Sequence, residues 1–185
     1  MMGSLREIFR LSASISTAQM AGAIGALATS TSLSTWYKDL KKPSLAPSGR
    51  IISRVWIMLY ILMGISAYLI SRRESDHPGA KSALSLYRVQ LVLNVLWSWA
   101  FFYLRSPLAG LAVISFLWLS ILATIMKFRK ISSAAALLLV PYLLWVSFAT
   151  YLNYSFWRLN LDNGKRIEDL DAATSRKRIS DEAKS

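Results

Sequence analysis

Cysteine is absent from this sequence, and histidine occurs once, as His77. Without thiols the chain can form neither a disulfide framework nor a cysteine-ligated zinc or iron–sulfur site, and one imidazole cannot build a His-rich metal centre. Charged residues are also scarce, since they make up 17% of the chain while hydrophobic residues make up 54%. Soluble domains carry about 25% charged residues. Because the apolar residues form long blocks, the sequence predicts an integral membrane protein, and we expect neither a metal nor a cofactor.

The net charge of +12 comes mainly from Lys and Arg residues that lie between the apolar blocks. Cations in that position usually contact the anionic headgroups of membrane lipids. A nucleic-acid-binding protein would instead gather its cations on one folded face. Membrane lipid is therefore an expected partner, and nucleic acid is not.

Five apolar blocks are long enough to cross a bilayer, which takes about 20 residues of α-helix. They cover residues 11–34, 55–71, 85–104, 107–126 and 131–157. The predicted fold class is therefore all-α integral membrane, a five-transmembrane-helix bundle formed by residues 1–160. Residues 161–185 have a mixed-charge composition with little to bury, and they are expected to form a mobile tail.

The first block, rich in small residues, has two interpretations. Arg6 and Arg10 followed by an uncharged stretch resemble a cleaved secretory signal. However, small side chains recur every four residues, at positions 14, 18, 22, 26 and 30. Such a stripe allows two membrane helices to approach closely, so we favour a retained helix that packs against another helix.

Polar and aromatic side chains share one face of the third block. Gln90, Asn94, Trp97 and Phe101 follow helical spacing. An amide that faces lipid is costly, so this face is expected to look into the bundle or a cavity. In the fifth block, Pro141 is expected to bend the helix and open a pocket.

The tryptophans leave several interpretations open. Trp36, Trp56 and Trp157 lie at block ends, where tryptophan commonly anchors a helix at the membrane surface. Trp97, Trp118 and Trp145 lie deeper, where they either pack helices or line a ligand cavity. No ionisable residue lies deep in a block, and no nucleophile–base pair or phosphate loop is recognisable. A driven pump or a hydrolase is therefore not expected, whereas an apolar aromatic pocket suits a flat hydrophobic molecule.

Four groups of residues, in order along the chain, carry a family resemblance. They are Trp36-Tyr37 with Lys42-Pro43, Val55-Trp56 with Leu59-Tyr60, Gln90-Leu91 with Leu93-Asn94, and Pro141-Tyr142-Leu143 with Trp145. From about Gly22 to Asn160 the chain resembles the translocator protein family, also called tryptophan-rich sensory proteins or peripheral benzodiazepine receptors.

The resemblance implies a five-helix bundle, commonly a homodimer, that binds porphyrins, haem-like tetrapyrroles, sterols and benzodiazepine-type ligands. It assigns ligand binding to Trp56, Asn94, Trp145 and Ala149, with residues 36–54 as a lid. It assigns sterol binding to Leu152, Tyr154 and Arg158. The membrane would be the mitochondrial outer membrane in a eukaryote or the cell envelope in a bacterium.

The leading hypothesis is a receptor or carrier without chemistry of its own. An enzymatic alternative, implied by some bacterial members, is light- and oxygen-dependent porphyrin breakdown with Trp56 and Trp145 as the catalytic residues. A third is a membrane scaffold in which the aromatic residues only pack helices. The lid departs from the family pattern at three positions, Leu45, Ser48 and Arg50.

Overall fold

The computed structural model describes residues 2–33 and 35–161, and its regular elements in these ranges are all helical. Most of the expected tail, residues 162–185, lies outside the described residues. The helices are α1 (Met2–Leu33), α2 (Trp36–Asp39), α3 (Gly49–Ser71), α4 (Ala80–Ser98), α5 (Pro107–Arg129), α6 (Ser133–Leu138) and α7 (Val140–Leu159). A turn of π-helix, Trp99–Tyr103, continues α4.

The long helices form a bundle whose order around its axis is α1, α3, the α6–α7 pair, α5 and α4. Apolar side chains such as Met63, Leu117, Ile121 and Val146 fill the interior. Many large apolar side chains also lie on the outer surface. A helix bundle that is apolar both inside and outside matches a lipid environment rather than water.

The small-residue stripe of α1 packs closely on α3 over its first half. The Ser14 hydroxyl donates a hydrogen bond to the carbonyl oxygen of Gly64 at 2.9 Å. A Cβ atom at Gly64 would lie 2.5 Å from the Cα of Ile15, and one at Gly22 would overlap the ring of Tyr60. Small residues at this contact therefore set the distance between the two helices, as the stripe predicted. Its second half lines the cavity described below.

The first helix begins earlier than predicted, at Met2 rather than near residue 11. Its added turns carry Glu7, which accepts a hydrogen bond from the Tyr68 hydroxyl at 2.5 Å and lies 3.3 Å from the Nε of Arg72. The predicted block starts after the charged residues because it was bounded by apolarity. The Glu7 carboxylate pairs with Tyr68 and Arg72 at the far end of α3, and these contacts connect the ends of the two helices.

Other boundaries move outward for a similar reason. Helix α3 begins at Gly49 rather than 55, so the lid predicted over 36–54 is helical from that point. Helix α4 begins at Ala80 rather than 85, and α5 ends at Arg129 rather than 126. Helices extend beyond the hydrocarbon core because the stems of Lys and Arg lie along apolar surface while their charged ends reach the interface. Helix boundaries that are drawn where the apolar residues stop are therefore too short.

The fifth block, predicted as 131–157 with a bend at Pro141, is divided into two helices next to that residue. Helix α6 ends at Leu138, Leu139 has φ −90° and ψ −11°, and α7 runs from Val140 to Leu159. Proline has no amide proton and its ring crowds the preceding turn, so the helical hydrogen-bond pattern is interrupted at this point.

Among the described residues, four helical segments are long and apolar enough to cross a membrane. They are Leu5–Ser30, Gly49–Ser71, Pro107–Arg129 and Ser133–Leu159. Helix α4 is not among them, so the predicted count of five crossings is not confirmed. It carries the cations Lys81 and Arg88 in addition to the buried polar residues Gln90, Asn94 and Ser98.

Candidate functional site

A cavity of about 570 Å³ opens between α1, α3, α4 and α7, next to α2. Its volume falls within the range of small-molecule sites, about 300–1,000 Å³. Nine of its 24 lining residues are aromatic, and small residues of α1 lie on one side. The aromatic lining residues are Tyr37, Trp56, Tyr60, Trp97, Phe101, Phe102, Trp145, Phe148 and Phe156.

The four residues predicted to bind ligand all line this cavity. Trp56 comes from α3 and Asn94 from α4, while Trp145 and Ala149 lie one turn apart on α7. The structure therefore brings together three segments that are far apart in the sequence. Their convergence on one concave surface is the main feature of the site.

Trp56 lies against other aromatic rings. Its indole stacks on the ring of Tyr60, with ring centroids 5.4 Å apart and planes inclined by 27°. The rings of Trp97 and Tyr142 lie at 6.4 Å and 6.2 Å. Offset and edge contacts of this kind are the favourable arrangements for aromatic pairs. Trp56 is therefore part of the cavity wall and not only an interfacial anchor.

Asn94 connects three helices at the cavity. The Tyr60 hydroxyl donates to Asn94 Oδ1 at 2.6 Å, and Asn94 Nδ2 donates to the Tyr142 hydroxyl at 3.0 Å. The amide is 2% exposed. A primary amide has a second proton and a second lone pair, so these two bonds leave it capacity for a ligand. Sequence reasoning missed both tyrosine partners, although both lie in the motifs of the family resemblance.

Gln90, expected on the same face as Asn94, does not line the cavity. It is 1% exposed, and neither amide atom has a hydrogen-bond partner among the described residues. The face was thus predicted correctly as an interior one. Only its part nearest α2 reaches the cavity.

A second amide in the wall, Asn153, was not singled out as a site residue. Its Oδ1 accepts from the Trp97 indole Nε1 at 3.0 Å, and its Nδ2 donates to the carbonyl oxygen of Pro107 at 2.6 Å. An amide within an apolar block was the available signal, since such groups usually face a partner. These bonds hold Trp97 in one orientation at the wall.

The deep tryptophans Trp118 and Trp145 differ in environment. The Trp118 indole Nε1 donates to the hydroxyl of Ser147 at 2.8 Å, and its ring is outside the cavity. The Trp145 indole Nε1 is shielded from solvent and has no hydrogen-bond partner among the described residues. Packing therefore accounts for Trp118, whereas Trp145 lines the cavity with an unused donor.

Tyr37 lies at the α2 side of the cavity. Its ring contacts those of Phe102 and Phe156, with centroids 5.6 Å and 5.5 Å away. Burial raises the pKa of the Tyr37 phenol, which favours its neutral form. The following loop is fixed to the end of α7 by two hydrogen bonds between the Lys41 backbone and the Asn160 side chain. Leu45, one of the departures from the family pattern, is 60% exposed and outside the cavity.

Residues 14–158 match the TspO/MBR family. The chain belongs to that family. It is 38% identical over 155 residues to "Tryptophan-rich protein TspO" of Chlorobaculum tepidum, which covers 84% of this chain and 98% of the relative. It is 41% identical to "Protein CrtK" of Rhodobacter capsulatus, over 76% of this chain and 86% of that one. It is 38% identical to the human "Translocator protein", over 68% of this chain and 75% of that protein.

Membership of the TspO/MBR family, together with several long apolar helices, identifies the chain as an integral multi-pass membrane protein. Within this TspO/MBR chain the residues predicted to bind sterol are divided. Leu152 lines the cavity, whereas Tyr154, 41% exposed, and Arg158 lie on the outer surface of α7. No group of three or more metal-binding side chains lies together within the described ranges.

Proposed function

We propose that this TspO/MBR protein is a membrane receptor or carrier that binds tetrapyrroles, porphyrin or haem, in the aromatic cavity. The observation that carries the proposal is the convergence of Trp56, Asn94, Trp145 and Ala149 on one cavity wall. The proposal assigns no chemistry to the protein.

The chemistry of the cavity wall suits a flat, largely apolar ring. Indole and phenyl faces offer stacking surfaces, and a ring placed there leaves water. A directional contact would come from the remaining hydrogen-bonding capacity of the Asn94 amide. A pocket that is mostly apolar with a few polar groups fixes the orientation of a ligand.

The proposal includes the architecture of the family. Residues 1–160 would form one transmembrane domain with five crossings, α4 being the additional one, and residues 161–185 would form a separate tail. The buried amides of α4 support this arrangement, because a crossing helix directs such groups toward protein rather than lipid. The protein would act as a homodimer, in the mitochondrial outer membrane of a eukaryote or the cell envelope of a bacterium.

Sterol binding forms a separate part of the proposal. Tyr154 and Arg158 lie one turn apart on the outer surface of α7, where a sterol hydroxyl would meet the guanidinium. Leu152, on the cavity side of the same helix, would not contact that sterol.

The experiment is a porphyrin titration of the protein in nanodiscs, followed by tryptophan fluorescence. We expect saturable quenching, because an absorbing ring would lie against Trp56 and Trp145. A control titration uses nanodiscs without protein and measures partition into lipid. Quenching that rises linearly without saturation would favour the scaffold hypothesis and contradict the proposal.

A second candidate function is light- and oxygen-dependent breakdown of the bound porphyrin. The observation in its favour is that the indoles of Trp56 and Trp145, its catalytic residues, line the same cavity. The porphyrin would absorb light, and oxygen would be the oxidant. Illumination of the complex with and without oxygen, followed by product analysis, separates the two functions. An oxygen-dependent product that Trp56→Phe or Trp145→Phe abolishes would favour breakdown over simple binding.

A further inference from the structure

A second concave surface lies outside the cavity, on the outer side of the bundle between α3 and α7. This groove has a volume of about 560 Å³. On this side of the bundle, α3 makes a more extensive contact with α6 than it makes with α7. The surrounding wall is apolar apart from one cation, Arg54, and includes Met58, Leu62, Pro141 and Leu144.

The polar and apolar parts of the groove complement those of a membrane lipid. Arg54 lies near the start of α3 and is exposed. We expect a cation near the end of a crossing helix to reach the bilayer interface. From Arg54 to Leu62 the helix rises about 12 Å at 1.5 Å per residue. Over that length the wall is apolar. A cation at the interface followed by apolar wall in the hydrocarbon region complements a negatively charged headgroup and its acyl chain.

We propose that this groove binds an anionic phospholipid from the surrounding bilayer. Arg54 contacts its phosphate, and one acyl chain lies along α3 and α7 between Met58 and Leu144. The charge of Arg54 selects anionic over zwitterionic headgroups. A second copy of the chain would have to cover an exposed Arg, which is costly unless it supplies a carboxylate.

The groove and the cavity share a wall. Trp145 and Phe148 line both of them, so a lipid in the groove lies against side chains that a cavity ligand also contacts. If the proposed function holds, lipid and cavity ligand change each other's affinity by the same factor, because such coupling is reciprocal. This consequence rests on the proposed function, whereas the lipid site itself does not.

The test uses phospholipids brominated on the acyl chain, which quench nearby tryptophans. The protein is placed in vesicles of phosphatidylcholine that contain brominated phosphatidylglycerol or, at equal mole fraction, brominated phosphatidylcholine. We expect stronger quenching by phosphatidylglycerol, and Trp145→Phe should remove most of the excess. Arg54→Gln should weaken the preference about five-fold, the effect of one cation near the surface.

The matched control is Lys41→Gln, which removes one exposed cation that does not line the groove. It should leave the preference intact. Equal quenching by both lipids in the wild type, or equal loss in both variants, would overturn the proposal. Excess quenching by a brominated sterol alone would assign the groove to sterols, and dimerisation that shields Trp145 from both lipids would assign it to a second copy. The vesicles contain no porphyrin, so this result is independent of the porphyrin titration.

Discussion

The Tyr60 hydroxyl donates a hydrogen bond to Asn94 Oδ1 at 2.6 Å, and this bond joins α3 to α4 beside the cavity. Because the same amide donates to Tyr142 on α7, one side chain holds three helices in register. The geometry of the cavity and the stability of the bundle therefore depend on the same contacts.

Removal of this hydroxyl should destabilise the fold. Tyr60→Phe leaves Asn94 Oδ1 without its donor, and an unsatisfied buried group costs about 1–3 kcal/mol. We expect the free energy of unfolding to fall by about 1 kcal/mol, near the lower limit, because hydrogen bonds between membrane helices average about 0.6 kcal/mol. Unfolding in mixed micelles measures the change. Tyr103→Phe, at an exposed ring, is the control and should change nothing; equal stability of all three proteins would contradict the role of the bond.

Two tryptophan substitutions distinguish ligand binding from packing. Trp145→Leu should weaken porphyrin binding at least several-fold, because a lost aromatic contact costs about 0.5–1.5 kcal/mol beyond area burial. Trp118→Leu should leave binding unchanged, since its ring lies outside the cavity. Fluorescence or absorbance titration in nanodiscs measures both affinities. Equal losses would mean that packing tryptophans have been mistaken for a binding site.

The contact between α1 and α3 should not tolerate a larger residue. Gly22→Leu places a side chain where the Tyr60 ring lies, and overpacking of this kind costs about 1–3 kcal/mol. We expect a lower melting temperature in detergent. Gly49→Leu is the control, because a Cβ there meets no atom within 4 Å. An unchanged melting temperature and oligomer size for Gly22→Leu would argue against close packing at this stripe.

The sterol proposal depends on Arg158. Arg158→Leu should reduce cholesterol binding several-fold while the protein stays folded, since the group that meets the sterol hydroxyl is lost. Photolabelling with a cholesterol analogue in nanodiscs measures the effect. Arg129→Leu, an exposed cation at the end of α5, serves as the control. Undiminished labelling of Arg158→Leu would leave Arg158 as a membrane anchor only.

Much of this organisation could be predicted from the sequence. Long apolar blocks require helices, because backbone groups in lipid must be satisfied within one segment. Pro141 predicted a bend in the fifth block, since a residue without an amide proton interrupts the helical hydrogen-bond pattern. The small-residue stripe indicated a close helix contact. Trp56, Asn94 and Trp145 followed from the motifs of the family resemblance, whereas Tyr60 and Asn153, which also line the cavity, were not predicted as site residues.

Other features were decided only by the tertiary structure. Position at a block end favoured a surface anchor for Trp56, and depth in the block alone did not separate Trp118 from Trp145. Their roles differ because their neighbours differ: the rings of Tyr60 and Trp97 lie against Trp56, and the Ser147 hydroxyl accepts a hydrogen bond from the Trp118 indole. Spacing along one helix specifies which residues share a face, but not what that face meets. Whether an aromatic ring or an amide meets lipid, protein or a cavity depends on contacts between segments that are distant along the chain.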